Sequence, residues 1–376
     1  MSDTYRRYRA IRHAFLQLYH PRPTGHQAQH LDTLVRLICG IIGSRQSQLP
    51  KLVEHIPGTK AKDKSLIPQF SRWLTNRQVT QEQWVVPVAT ALLQALAHRP
   101  LQLIFDGSVV GRGCQALLVS VVYHGRALPL AWVVIKAPKG HFPQATHCDL
   151  LAVIQTMMPP HAQVTVLGDG EFDGTRFQAQ IQQAGWFYAC RTARNLRFTA
   201  PCGHGQMAAL AVAPDLTVFI EQAHITGMQY GPVNVLMVWE PKYKAPIYLV
   251  TNLATSSAAL EAYRLRAHSE TFFSDQKSRG FHLDRSHLSD PVRLARLMCA
   301  SCLAYLWIIY LGTWGRSAAW RTRIHRGDRC DLSLFQLGLR LLSYCLRHTC
   351  AIPKGCLPPA LLPTEPGEKA HTCSVG

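Results

Sequence analysis

Negative charge is scarce in this chain. Its 376 residues hold 22 Asp and Glu against 40 Lys and Arg, a formal charge of +18. Charged residues of both signs reach only 16%, while hydrophobic residues make up 47%. That balance excludes a chain too polar to bury a core. No secretory leader is expected, since the stretch from Ser2 to Arg9 has no apolar segment behind its charges. No run reaches the roughly 18–20 apolar residues that a membrane span needs. The longest, Leu297 to Leu311, contains Cys299, Ser301 and Cys302 and runs on towards further Arg. It reads as a buried helix, so no membrane partner is expected. Twelve Cys in a chain of this length do not make a disulfide scaffold. They fit reduced thiols in a cytoplasm. Cys299 and Cys302 form the one CxxC, and no second ligand pair at a zinc spacing accompanies it. Both therefore read as core residues. There is no internal repeat.

What is abundant is positive charge, and a soluble chain so biased usually meets a polyanion. The length allows two or three domains. Residues 1–100 read as helical and hold fourteen Lys and Arg against five Asp and Glu. Leu31, Leu34, Val35, Ile38 and Ile41 repeat at helical spacing. A second helix runs from Leu49 to Ile56 and ends at Pro57 and Gly58. A basic stretch, Lys60 to Lys64, leads into a third with Ile67, Phe70, Trp73 and Leu74. A fourth spans Gln81 to Ala97. Short helices, a tight turn and a basic entry suit a helix-turn-helix-like reader of DNA.

The texture changes at Leu101. Strands are expected over Leu101–Phe105, Gln115–Tyr123 and Leu128–Ile135, joined by short turns as an antiparallel meander. A helix follows over Cys148–Met158, then a strand at Val164–Leu167, a helix at Gly174–Ala184 and a strand at Trp186–Arg191. The order β-β-β-α-β-α-β belongs to the α/β class. Residues 195–253 interrupt it with strands near Leu216–Ile220, Val233–Trp239 and Ile247–Thr251. Helices resume near Ser256 and carry the core on over 254–312. A basic helical segment fills 313–352, and 353–376 reads as a disordered tail. From Arg293 to His348 there are nine Arg, with Asp328 and Asp331 the only acids. That segment suits contact with a nucleic-acid backbone.

Where acids are so few, their places are informative. Asp106 is expected to close the first strand and Asp169 the fourth. In this strand order the two can lie side by side. Two carboxylates at close range repel unless a cation separates them, and hard oxygen donors select Mg²⁺ or Mn²⁺. Ordinary turn chemistry is the rival explanation, because each acid precedes a Gly. Glu171 and Asp173 follow closely and compete for the second position; Asp169 is favoured by its place at the strand tip. A third acid, Glu270, comes from a helical stretch with Tyr263, Arg266 and Lys277. Their spacings of three, four and seven put all four on one helical face. Arg266 and Lys277 would hold phosphates while Glu270 completes a metal site. Arg266 and Glu270 also fit an ordinary i,i+4 ion pair.

The strand order, the two aspartates and the Tyr263, Arg266, Glu270, Lys277 spacing together resemble the IS4-type DDE transposases. The resemblance covers about residues 30–350. It implies an α/β fold with an RNase H-like (retroviral-integrase-like) mixed sheet, a β-rich insertion over 195–253, an N-terminal helical domain that binds DNA ends, and C-terminal helices. It implies an enzyme that cleaves DNA at transposon ends and transfers the strands to a target. Asp106, Asp169 and Glu270 would be the catalytic, metal-binding triad, holding two Mg²⁺ ions for which Mn²⁺ can substitute. Tyr263, Arg266 and Lys277 would contact the end DNA. Trp239, the only Trp in the insertion, would stack on a flipped base. The partners would be double-stranded DNA, as terminal inverted repeats and target, and a second copy on paired ends. The setting would be a bacterial cytoplasm, at the nucleoid. One departure stands out: the family often has Asp-Arg after the fourth strand, and here Gly170 and Glu171 follow Asp169. A nuclease or resolvase that cuts without joining, an inactive DNA-binding remnant and a zinc-dependent binder are the rivals.

Overall fold

A computed structural model describes residues 2–57, 63–137, 142–326 and 330–359. The chain forms two compact units. One is all-helical and gathers 1–95, 275–288 and 292–376. The other, 96–274 with 289–291, holds the sheet.

The helical unit begins with α1 (Asp3–Leu16), α2 (Gly25–Ser44), α3 (Leu49–Leu52) and α4 (Asp63–Thr75). The five apolar positions expected along α2 are all buried. On α4 the buried row is Leu66, Phe70, Trp73 and Leu74, with Leu66 taking the inward place expected for Ile67. The basic run from Lys60 falls partly outside the described residues. The single helix expected over Gln81–Ala97 is two, α5 (Gln81–Trp84) and α6 (Val86–Leu96). Pro87 explains the break. It lacks an N–H to continue a helix, yet fits at the start of a new one.

The sheet unit takes up the chain at Leu96. Strands β1 (Leu101–Gly111), β2 (Cys114–Tyr123) and β3 (Arg126–Lys136) form the expected antiparallel meander. After α7 (Gln144–Met157), β4 (Val164–Gly168) lies parallel to β1. After α8 (Thr175–Gln183), β5 (Phe187–Arg191) lies parallel to β4. The core strands lie in the order 3-2-1-4-5 expected of the mixed sheet.

The insertion then extends this sheet. Its strands are β6 (Arg197–Ala200), β7 (Gly203–Gln206), β8 (Thr217–Ile225), β9 (Tyr230–Val238) and β10 (Ile247–Thr251). β10 pairs antiparallel with β5, and the rest follow in the order 9-8-6-7, giving one ten-stranded sheet. The pair β6–β7 is exposed at alternate or successive positions and carries no strong apolar pattern, so sequence periodicity does not reveal it.

Two helices lead towards the end of this unit, α9 (Ser256–Arg264) and α10 (His268–Gln276). α9 packs Ala259, Leu260 and Tyr263 on Leu236, Val238 and Leu249 of β9 and β10. The boundary between the units falls inside α10.

The helical unit closes with α11 (Pro291–Gly315), α12 (Ala318–Ile324) and α13 (Leu334–Arg347). α11 is long and apolar enough to span a membrane, but 89% of its most apolar window is buried inside the protein. Cys299 and Cys302 are core residues, each 1% exposed, and burial pushes the Cys299 thiol up to about 12. Gly312 and Gly338 let α11 and α13 cross almost backbone to backbone. A Cβ on Gly312 would lie 2.0 Å from the Leu334 carbonyl oxygen, and one on Gly338 1.9 Å from that of Ile308. Of the tail expected over 353–376, residues 360–376 lie outside the described residues. Before them, Cys356 is buried and the Tyr310 hydroxyl donates to the Lys354 carbonyl.

Candidate active site

The register of the core sheet sets the first two acids. Phe105 of β1 stands opposite Gly168 of β4. The next residues are Asp106 and Asp169, so both side chains leave neighbouring backbones at one level. Such backbones lie about 4.8 Å apart. Asp106 does not close its strand, as the sequence suggests, because β1 runs on to Gly111 against β2. What ends at Phe105 is the pairing with β4, which opens a gap beside the carboxylate.

Asp106 is 8% exposed. Its Oδ1 accepts the Gly107 N–H at 2.9 Å. Its Oδ2 accepts the Ser269 hydroxyl and lies 3.6 Å from Nη1 of Arg266. Burial pushes the Asp106 pKa above the usual carboxylate range. The Ser269 hydrogen bond and the Arg266 charge pull it down in part, while the Asp169 charge adds to the rise. Asp169 is also a turn residue, its Oδ1 accepting the Glu171 N–H at 3.0 Å. Its Oδ2 makes no hydrogen bond among the described residues.

The two rival acids have other partners. Glu171 Oε1 accepts the Phe142 N–H and lies 3.3 Å from Nε2 of the buried His147, tying the loop after β4 to the start of α7. Asp173 Oδ2 accepts the Thr192 hydroxyl at 2.8 Å. Burial raises the pKa of Asp173, and that hydrogen bond opposes the rise.

The third element is not the single helix expected. α9 ends at Arg264, Leu265–Ala267 form a 3₁₀ turn, and α10 starts at His268. A 3₁₀ turn advances three residues per turn and so breaks the helical phase. Contacts, not a shared face, join the residues. The Arg266 guanidinium lies 5.9 Å from the Tyr263 ring centroid and 3.5 Å from Glu270 Oε1. One guanidinium thus reaches both Asp106 and Glu270. Burial works against the Arg266 charge, but Tyr263, Asp106 and Asp169 outweigh it and raise the pKa. The Glu270 side chain is 69% exposed. Lys277 lies just past α10 and belongs to the helical unit. Among the described residues no three His, Cys, Asp or Glu side chains converge as a ready cation site.

Ser269 has no signal in the sequence, being a common residue type beside a more conspicuous acid. It is fully buried, and its bond to Asp106 docks α10 on β1 one residue before Glu270. A hydrogen bond to a charged group contributes roughly 1.5–3 kcal/mol. Ser269→Ala is expected to lower stability by about that amount, checked as a fall in the thermal midpoint of the purified variant. An unchanged midpoint would show that the contact with Asp106 contributes nothing to the docking of α10.

Trp239 follows β9 and is half-buried, its Nε1 donating to the Tyr243 carbonyl at 3.1 Å. The adjacent Glu240 meets Lys242 and Arg264 at 2.7 Å each. The second bridge fastens the loop after β9 to the end of α9, beside Tyr263. Lys242 and then Arg264 hold the Glu240 pKa below its ordinary value.

The mixed sheet thus carries two aspartates at one level on its parallel strands β1 and β4, and a glutamate lies on the helix that follows the insertion. The sequence profile of the Transposase DDE domain matches residues 99–307, more than half of the chain. The chain belongs to this family. It is a DNA transposase, an enzyme of DNA strand cleavage and transfer, and its family works with divalent metal ions. No curated protein matches the chain. Among solved structures it is similar to the piggyBac transposase in its synaptic complex with hairpin DNA, at 10% identity and a TM-score of 0.42, over 98% of this chain and 87% of that one.

Proposed function

We propose that this transposase is of the IS4 type, cuts at the terminal inverted repeats of its own element and joins the freed ends to target DNA. The observation that carries the catalytic assignment is the level placement of Asp106 and Asp169 on β1 and β4. The donor set fits a hard divalent cation. The Asp169 charge presses on Asp106, and Asp169 keeps an oxygen without a hydrogen bond among the described residues. Asp106, Asp169 and Glu270 would hold two Mg²⁺ ions, with Mn²⁺ able to replace them. When bound, the ions activate the attacking water or 3′-hydroxyl and stabilise the leaving oxygen.

The chain's own residues bind and orient. Ser269 and the Gly107 N–H fix the Asp106 carboxylate. Arg266, backed by the Tyr263 ring, is positioned to turn its guanidinium to a DNA phosphate, which it matches in planar bidentate geometry. Lys277 supplies a further phosphate contact. Trp239, on a loop fastened to α9, stacks on an extruded base. The basic helices within residues 1–100 read the end sequence. Two copies act together on paired ends, in a bacterial cytoplasm. Glu171 and Asp173 serve the loop after β4, since both carboxylates already have local partners.

The test is cleavage of a duplex carrying the repeats that flank the gene. Strand nicking at the repeat boundary is expected with Mg²⁺ or Mn²⁺ and not in EDTA, followed by joining to a second duplex. Cleavage without joining would favour a nuclease; end binding with neither would favour an inactive remnant.

A further inference from the structure

The helical unit contains a second basic site, away from the acids in sequence. α13 is two-faced. Phe335, Leu337, Leu341, Leu342 and Cys345 are buried, while Gln336, Arg340, Ser343, Tyr344 and Arg347 line a cleft of about 240 Å³. Their spacing places them along one side of the helix over roughly 16 Å, at 1.5 Å per residue. Arg323 from α12 and Arg45 from the end of α2 line the same cleft. Four arginines therefore line one small concavity.

Their pairing is unusual for so much charge. Arg45, Arg323 and Arg347 make no side-chain hydrogen bond or ion pair among the described residues, and Arg323 lies over the Trp320 ring at 5.5 Å. Arg340 donates to the Ile324 carbonyl at 3.4 Å and to His325 Nδ1 at 3.3 Å. The other ring nitrogen of His325 meets Asp331 at 2.6 Å, so that carboxylate is taken up by the imidazole and not by the arginines. Arg45 is half-buried, and burial alone pulls its pKa down. Like charges gathered with no carboxylate bonded to them among the described residues repel, and an arriving anion relieves that repulsion. The site offers planar forks, the Ser343 hydroxyl, the Gln336 amide and the Tyr344 ring. These donors match phosphate oxygens and the flat face of a sugar or base.

We infer that this cleft seats the phosphodiester backbone of DNA, as a sequence-independent anchor carried by the helical unit. The inference rests on the chain acting on DNA as proposed above. Only the cleft's contribution is new, and it predicts equal loss of affinity for element-end and unrelated duplexes.

The experiment measures binding of the full chain to both duplexes by fluorescence anisotropy from 0.1 to 1 M salt. Each lost phosphate contact lowers the slope of log K against log salt by about 0.9. Arg340→Ala with Arg347→Ala is expected to lower the slope by about 2. Binding should be roughly a hundredfold weaker at 0.1 M salt, with the gap closing towards 1 M. Both arginines are exposed, and the thermal midpoint verifies that the variant folds. Arg340→Lys with Arg347→Lys keeps the charges and should keep the slope. A wild-type slope in the double Ala variant overturns the cleft while leaving the transposase reading intact. A parent protein that binds neither duplex overturns both.

Discussion

Asp106→Asn should bind end DNA as tightly as the parent and fail to cleave it, with a rate loss on the order of a thousandfold or more, as for other essential catalytic groups. Asn keeps the shape, and its side-chain oxygen can still accept from Ser269, at the cost of the one hydrogen bond from the Gly107 N–H, which its amide cannot accept. Stability gives a second readout with the opposite sign. A carboxyl whose pKa is raised by folding binds its proton more tightly in the folded state. Its ionised form therefore weakens the fold at neutral pH, and that weakening disappears as pH falls through the raised pKa. Metal-free Asp106→Asn should then melt at a higher temperature than the parent at pH 7, and the difference should shrink on acidification. Lower stability at pH 7, with cleavage lost, would point to a collapsed site and not to a missing ligand.

Glu270→Gln should also bind without nicking, but for a different structural reason and with a different signature. Its side chain is largely exposed and its one close partner among the described residues is Arg266, at 3.5 Å. An exposed pair of this kind adds little to stability. The thermal midpoint should therefore barely move while cleavage falls by a similar factor of a thousand or more. Gel-shift and nicking assays on one end duplex separate the two effects. Full cleavage by Glu270→Gln would remove Glu270 from the triad and leave Arg266 as the residue on that helix that matters. A large drop in melting temperature would show that the Arg266 contact carries more of the docking than its exposure implies.

The two substitutions also divide the site physically. Asp106 is fixed by a backbone N–H, a buried hydroxyl and a guanidinium. Glu270 is tethered by one ion pair on a helix that follows a 3₁₀ turn. Arg266 spans the two, at 3.6 Å from Asp106 and 3.5 Å from Glu270.

The sequence by itself determined a good deal. Apolar runs of strand length, separated by Gly and Pro, specify the five core strands, because a strand buried on both faces must be apolar throughout. Scarcity of acids made Asp106, Asp169 and Glu270 conspicuous. The spacing of Tyr263, Arg266 and Glu270 pointed to one cluster. Tertiary structure alone decided the rest. Whether Asp106 ends its strand depends on how far β2 pairs with it, a long-range fact invisible in local pattern. The 3₁₀ turn after α9 replaces a shared helical face with side-chain contacts. Ser269 matters only because α10 docks on β1. The arginine cleft exists because α2, α12 and α13, up to three hundred residues apart in sequence, bring Arg45, Arg323, Arg340 and Arg347 to one place. Periodicity reports which way a side chain faces within its own element. Which element it then faces is set by packing, through contacts that no local stretch of sequence contains.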